Sequence, residues 1–404
     1  MQNIVIDKPY EFVPPTYGTF WPRLLGRLAL PAHLRSSHGV ESHELLGVSR
    51  LQASVEAGHG ILLTPNHCRP CDPMVVSHLG FAVGAPIHIM ASWHLFMESR
   101  VQRWLLRHAG VFSVYREGMD REALKCAIRI LVEAKRPLVL FTEGAISRSN
   151  DRLNHLMDGT TFIARNAAKQ RAERSRGKVV VHPVAIRYFF LGDVERTLAP
   201  VLEEIERRLS WKPQSDKPIE DRIVKVGEAL LTLKELEYGE KPQEGGLAAR
   251  VARLIDRLLV PLEQEWVKGK RDADILGRVK ALRAAILPDM AAEKIDEAER
   301  RRRWQQLADI YLVQQLANYP PDYFVPLATP EKLLETVERF EEDLTDAARV
   351  HRPIHAVVQV GDAIEVAPGR DRGSDADALM AQLRTQLEAM LEALRARRPP
   401  EPTP

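Results

Sequence analysis

A histidine and an aspartate stand five positions apart in Thr64-Pro65-Asn66-His67-Cys68-Arg69-Pro70-Cys71-Asp72-Pro73, directly after the apolar run Ile61-Leu62-Leu63. On a helix, five steps of about 100° would carry the two side chains well apart around the axis. Pro70 and Pro73 argue against a continuous helix in any case. The pattern predicts a short buried strand, a tight turn, then a helix with Asp72 as N-cap and Pro73 at its first position. In such a turn the carboxylate folds back onto the imidazole. A carboxylate on one ring nitrogen fixes the tautomer and raises the basicity of the other, which makes a general base.

N-H-x-x-x-x-D resembles the first signature of the glycerolipid acyltransferases, the family of glycerol-phosphate and lysophosphatidate acyltransferases. Three later stretches fall in that family's order. Gly110-Val111-Phe112-Ser113-Val114-Tyr115-Arg116 is similar to its second block, G-x-x-F-I-x-R. Phe141-Thr142-Glu143-Gly144-Ala145-Ile146-Ser147-Arg148 resembles its third, F-P-E-G-T-R-S-R. Val181-His182-Pro183-Val184-Ala185-Ile186-Arg187-Tyr188 resembles its fourth, an apolar strand around V-P-V-A-I. The resemblance covers residues 45 to 235 and implies catalytic roles for His67 and Asp72. It implies substrate-binding roles for Asn66, Arg116, Glu143, Gly144, Ser147 and Arg148.

The third block departs from the family in two places. Thr142 replaces its proline, and Ala145-Ile146 stand where Thr-Arg is usual. In the family that arginine helps to hold the acceptor's phosphate. Here Arg148, Arg152 or Arg116 must do so, since arginine's rigid fork suits phosphate oxygens, or the acceptor lacks a phosphomonoester. Cys68-Arg69-Pro70-Cys71 lies between the two catalytic candidates. A zinc site would need further ligands. Two small turn residues are one reading. A redox pair beside a helix N-terminus, where a thiolate is favoured, is the other.

A chain of 404 residues has room for a full core and two structural units. Its net charge of +2 gives no strong case for nucleic acid. The run Arg300-Arg301-Arg302-Arg303 reads as a solvated helix face. The start, Met1-Gln2-Asn3-Ile4-Val5, lacks the basic end and long apolar stretch of a secretory signal. The uncharged run from Gly80 to Met97 contains Pro86 and reads as a strand with flanking turns, so no membrane span is expected. Three cysteines, Cys68, Cys71 and Cys126, suit a reducing compartment.

The elements that must position these residues alternate. Helix over Ser49–Ala57, strand at Ile61–Leu63, strand at Pro86–Met90, helix over Leu95–His108, strand at Val111–Tyr115, helix over Asp120–Ala134 capped by Asp120, strand at Pro137–Phe141, helix over Gly159–Lys169, strand over Lys178–Tyr188. The expectation is an α/β fold, a mixed and largely parallel sheet flanked by helices, with a mainly helical C-terminal extension. Each block sits at a strand's C-terminal end, where such sheets place ligands. Three regions follow: an N-terminal amphipathic segment over 1–44, an acyltransferase domain over 45–267, and an extension over 268–404 ending in a strand and a helix. In the first, Trp21, Leu24, Leu25 and Leu28 share a helical face with Arg23 and Arg27 off it. This suits either an interfacial helix or one packed on the domain. Pro288–Asn318 and Pro330–Arg349 read as long helices, separated by Pro320, Pro321 and Pro326. Ile223–Leu230 resembles Val357–Ile364, and each precedes an amphipathic helix, Leu247–Glu265 or Ala376–Leu394. The expectation is a duplicated strand–turn–helix ending.

The resemblance implies acyl transfer from acyl-CoA or acyl carrier protein to the hydroxyl of a glycerolipid such as lysophosphatidate. His67 would be the base, with no acyl-enzyme. No metal or bound cofactor is expected. The partners expected are the thioester donor, the lipid acceptor and, peripherally, the inner face of the membrane, reached from the cytoplasmic side. The alternatives are a phosphate-free lyso-lipid acceptor and a catalytically idle lipid-binding scaffold.

Overall fold

The computed structural model describes residues 5–174, 177–239, 241, 244–271, 274–319, 329–368 and 375–397. Among these, the strands are β1 (Val40–Leu46), β2 (Gly60–Pro65), β3 (His88–Ser92), β4 (Val111–Val114), β5 (Leu138–Val139), β6 (Val179–Phe190), β7 (Ile354–Val360) and β8 (Ile364–Glu365). The helices are α1 (Phe20–Leu28), α2 (Leu30–His38), α3 (Val48–Glu56), α4 (Asp72–Ala82), α5 (Arg100–Ala109), α6 (Arg121–Glu133) and α7 (Gly159–Glu173). They continue with α8 (Val194–Arg208), α9 (Ile219–Glu237), α10 (Leu247–Val267), α11 (Ile275–Ala291), α12 (Glu297–Leu316), α13 (Pro330–Thr345) and α14 (Asp375–Arg395).

The strands form one sheet in the order β1-β7-β6-β2-β5-β3-β4, with β8 beside β6. Pairing is parallel except for β6 with β7 and β6 with β8. Every residue of β2 is buried, as a central strand covered on both faces requires. Leu62 and Val181 join Ala127, Leu131, Ala164 and Leu387 in one apolar cluster, so α6, α7 and α14 cover the sheet together. Asp120 caps α6 by accepting the Ala123 N–H at 2.9 Å, as its position predicts.

The chain divides into two compact units, and the cut differs from the one read from sequence. The sheet unit takes the described residues within 11–191 and 350–404, and the helical unit those within 1–10 and 192–349. The reason is β7. Val357, Val358 and Val360 are almost fully buried, which only an interior strand permits. β7 therefore lies between β1 and β6, and the described residues from 350 onwards belong to the sheet unit. β1, which begins inside the expected amphipathic segment and runs past its end, is its parallel neighbour.

The helical unit holds a core of leucines, isoleucines and valines from α9 to α12, including Leu254, Leu259, Leu282, Ile286 and Ile310. Two of its buried arginines make forked pairs: Arg222 donates to both Glu206 oxygens at 3.0 and 2.9 Å, and Arg250 to both of Glu235 at 2.9 and 2.7 Å.

The expected duplication fails here. Ile223–Leu230 lies within α9, whereas Val357–Val360 is strand. Ile219, Ile223, Val226 and Leu231 are buried at spacings of three to five, a helical face rather than a strand's alternation. The helix expected over Pro288–Asn318 is two helices, broken between Ala291 and Glu297, with Asp296 capping the second at 2.8 Å. The break expected at Pro320, Pro321 and Pro326 lies outside the described residues. The helix expected over Leu95–His108 begins only at Arg100, after a single 3₁₀ turn at Trp93–Phe96. No helix among the described residues is long and apolar enough to cross a membrane.

Candidate active site

Strands β2, β3, β4 and β5 run parallel, so their C-terminal ends meet along one edge of the sheet. The first block follows β2, the second runs through β4, and the third follows β5. Strand β6 is longer than β2 and runs past its end. From Ile186 onwards β6 therefore loses its partner on that side. Two asparagine side chains replace it. Asn66 accepts the Ile186 N–H at 2.7 Å and donates to the Ile186 carbonyl at 3.0 Å. Asn150 does the same at Tyr188, at 2.9 and 3.1 Å. Each amide acts as one more residue of a strand, satisfying buried backbone groups.

This extension of β6 carries Tyr188 to the histidine–aspartate turn. His67 Nδ1 lies 2.8 Å from Asp72 Oδ2. The same oxygen accepts the Arg69 backbone N–H at 2.9 Å. The other oxygen accepts the Tyr188 hydroxyl at 2.6 Å, with Cys68 Sγ at 3.7 Å. A carboxylate offers only acceptors, so the proton of this pair sits on His67 Nδ1. The lone pair is left on Nε2, for which no hydrogen-bond partner is found among the described residues. Asp72 is fully buried while the imidazole is 15 % exposed. Burial, reinforced by Asp72, holds the Tyr188 hydroxyl well above its ordinary pKa, so it remains a donor. Asp72 is the first residue of α4 and Cys71 its N-cap, one place from the expected cap. Its carboxylate is turned back to His67 and Arg69 on one oxygen and to Tyr188 on the other.

The third block grips the backbone of the same histidine. Glu143 Oε1 accepts the His67 N–H at 2.7 Å, and Glu143 Oε2 accepts the Asn154 N–H at 2.9 Å. Ser147 N–H donates to the His67 carbonyl at 2.7 Å. The Phe141 ring lies 4.1 Å from the imidazole, centroid to centroid. Burial pushes the Glu143 carboxyl up to about 7, against the pull of its two N–H bonds; Asp72 adds to the rise and Arg384 opposes it.

These contacts place the residues expected to bind substrate. Asn66 and Ser147, expected to bind substrate, are buried and turned inward: Asn66 to Ile186, and the Ser147 hydroxyl to the Ser149 carbonyl at 3.1 Å. Glu143 is likewise buried and serves the His67 backbone. Gly144 has a φ of +68°, and a Cβ there would lie 2.2 Å from Met157 Sδ, so the missing side chain admits Met157. Arg116 donates to the Gly144 carbonyl, which ties the second block to the third. Near Arg116, burial and that positive charge push the His94 imidazole down to about 4. Arg148 sits in the same loop with a φ of +55°.

Cys68 and Cys71 are buried free thiols. Cys71 donates to the Tyr188 oxygen at 3.3 Å, and burial, aided by Asp72, pushes its thiol up to about 12. That opposes the low-pKa thiolate of the redox reading and favours two small packing residues. Among the described residues no cluster of three or more His, Cys, Asp or Glu side chains is arranged for a metal ion.

Residues 48–187 match the family model described as Acyltransferase. This span is an acyltransferase domain of the glycerolipid acyltransferase family. The match runs from α3 to the middle of β6 and takes in His67, Asp72, Arg116 and Glu143. Two residues that touch this acyltransferase's network lie beyond the match: Tyr188, one residue past its end, which donates to Asp72, and Arg384 on α14, whose charge opposes the rise of the Glu143 pKa. No curated protein matches the chain. Sequence reading overlooked Tyr188 as a site residue, although alternation along β6 places it on the face shared by Val184 and Ile186.

Proposed function

We propose that this acyltransferase moves a fatty acyl group from acyl-CoA or acyl carrier protein to the hydroxyl of a glycerolipid such as lysophosphatidate. The observation that carries the reading is the His67–Asp72 pair, with Asp72 saturated by donors and the second imidazole nitrogen open. His67 Nε2 takes the hydroxyl proton as the oxygen attacks the thioester carbonyl. The tetrahedral intermediate then expels the thiolate, which receives the proton from His67. The nearest thiol, Cys68, is buried against Asp72 and the Ile186 carbonyl. This supports direct transfer without an acyl-enzyme.

The test offers a labelled long acyl chain, on CoA and on acyl carrier protein, with glycerol 3-phosphate, lysophosphatidate or a phosphate-free lyso-lipid in parallel. Product from lysophosphatidate is expected; product from none of the three would sink the reading. One observation favours the phosphate-free acceptor as the second reading. Ile146 replaces a phosphate-binding arginine, and Arg116 already spends part of its fork on the Gly144 carbonyl.

Contact with a membrane surface is supported by α1 and α5. Phe20, Trp21, Leu28, Val101, Trp104 and Leu105 are exposed on them, and the Trp21 and Trp104 rings pack 5.1 Å apart. The two helices carry Arg23, Arg27, Arg100, Arg103 and Arg107 and no acidic residue. Aromatic side chains among arginines suit the headgroup region of an anionic bilayer. Replacing Trp21 and Trp104 together by alanine is expected to weaken binding to phosphatidylglycerol vesicles by about tenfold or more. Sedimentation with vesicles measures it; unchanged binding would place the contact elsewhere.

A further inference from the structure

We infer that Arg384, on the C-terminal helix outside the family-matched segment, is a positioning residue for His67, acting through Asn154 and Glu143. The inference rests on the reading of His67 as the base.

The connection is a run of three short contacts. Arg384 Nη2 donates to the Asn154 carbonyl at 2.6 Å. The Asn154 N–H donates to Glu143 Oε2 at 2.9 Å, and Glu143 Oε1 accepts the His67 N–H at 2.7 Å. The segment between β5 and α7 has no regular structure over residues 152–156. Its backbone must therefore be held by side chains and packing. Met157 N–H reaches the Thr142 carbonyl at 2.9 Å, and Leu153 and Leu156 pack into the apolar clusters that include Leu383, Leu387 and Leu391 of α14. Arg384 supplies the polar end of that seat. Its other nitrogen donates to Glu388, one turn along, at 2.8 Å, which fixes the direction of the fork.

The charge of Arg384 acts on the same path. Glu143 serves as a double acceptor only when ionised. The groups facing it from the packed elements are few. The turn before α4 presents the His67 backbone, with the ring directed at Asp72, and the Asp72 carboxylate. Arg116 reaches the neighbouring Gly144 carbonyl. Of these charges Asp72 disfavours the ionised form, and Arg384, from α14, favours it. Removing Arg384 thus loosens the loop and weakens the grip of Glu143 on the His67 N–H together.

Hydrogen exchange of the full chain tests this without choosing an acceptor. In Arg384→Gln, peptides covering 66–72 and 142–157 are expected to exchange about tenfold faster at pH 7. Arg384→Lys, which keeps the charge, stays close to wild type, and α14 itself is unchanged. Unchanged exchange at 66–72 would overturn the inference. So would faster exchange throughout α14, since the variant would then act by loosening the helix. In acyl transfer, the acid limb of kcat moves to higher pH in Arg384→Gln and returns in Arg384→Lys; an equal fall at every pH counts against the inference. Transfer by His67→Ala is measured beside them. Activity surviving there fails the base reading, while the exchange result still judges the Arg384 contacts.

Discussion

His67→Ala is expected to lower kcat for acyl transfer by about 10³–10⁴-fold, and Asp72→Asn by nearly as much, with both proteins folded. The first removes the imidazole whose Nε2 has no hydrogen-bond partner among the described residues. The second is the more informative, because it keeps the shape and changes the direction of the hydrogen bonds. Asp72 accepts from His67 and Arg69 on one oxygen, and from Tyr188 and Cys68 on the other. An asparagine can turn only one acceptor towards these two sets of donors. If its amide nitrogen faces His67, the ring must offer Nδ1 as acceptor and carry its proton on Nε2. It can then take no proton from the alcohol. If the nitrogen faces Tyr188, the hydroxyl must give up its bond to position 72, and a buried donor is left over. Tyr188→Phe separates the two cases. Alone it removes one of the donors on Asp72 and leaves the tautomer intact, so its kcat falls by only about tenfold. Initial rates with saturating acyl-CoA, with circular dichroism for the fold, decide the order. Tyr188→Phe as damaging as Asp72→Asn would assign Tyr188 to the chemistry itself.

The dyad could be read from the sequence because both members lie in one turn, and two prolines limit what the backbone between them can do. The parallel strands could be read for a similar reason, since continuous apolar runs mark strands covered on both faces. What could not be read is non-local. Glu143 was expected on the acceptor, yet its partner is a backbone N–H 76 positions earlier, and a backbone group has no sequence signature. Asn66 was expected on substrate from the resemblance, and its buried amide contacts, which mimic a strand residue for Ile186, were likewise not legible. The strand character of Val357–Val360 was evident, but not its insertion between β1 and β6, since pairing over such a distance is set by the sheet as a whole. Ile223–Leu230 is the opposite case. Its apolar residues looked strand-like in a short window, while the wider spacing from Ile219 to Leu231 carries the helical period that α9 follows.

Glu143→Gln is expected to lower kcat by about 10²-fold at pH 8 while gaining stability relative to wild type as pH rises. The two effects have one origin. Two backbone N–H groups point at the two carboxylate oxygens, and a glutamine sets its own N–H against one of them. The His67 backbone then shifts, and a displacement of about 1 Å at a reacting group costs on the order of 10² in rate. Protonated Glu143 has the same fault, because its O–H faces one of the two donors. Wild-type kcat should therefore fall as pH drops through about 7 and approach that of the variant, whose profile lacks this limb. Stability follows the opposite sense. The carboxyl titrates at about 7 when folded against an ordinary value of 4.5, so the folded state holds the proton more tightly. Unfolding free energy then falls between pH 4.5 and 7 through this group, by about 3 kcal/mol, and is level above that. Glutamine has no such dependence. Urea unfolding of both proteins at pH 5 and pH 8 should show the gap moving in the variant's favour. A gap independent of pH would mean that the buried carboxyl titrates normally, and that its ionised form is held without strain on the fold. A moving gap, with activity lost at pH 8, would mean that this chain keeps an unfavourable buried charge because the position of His67 depends on it.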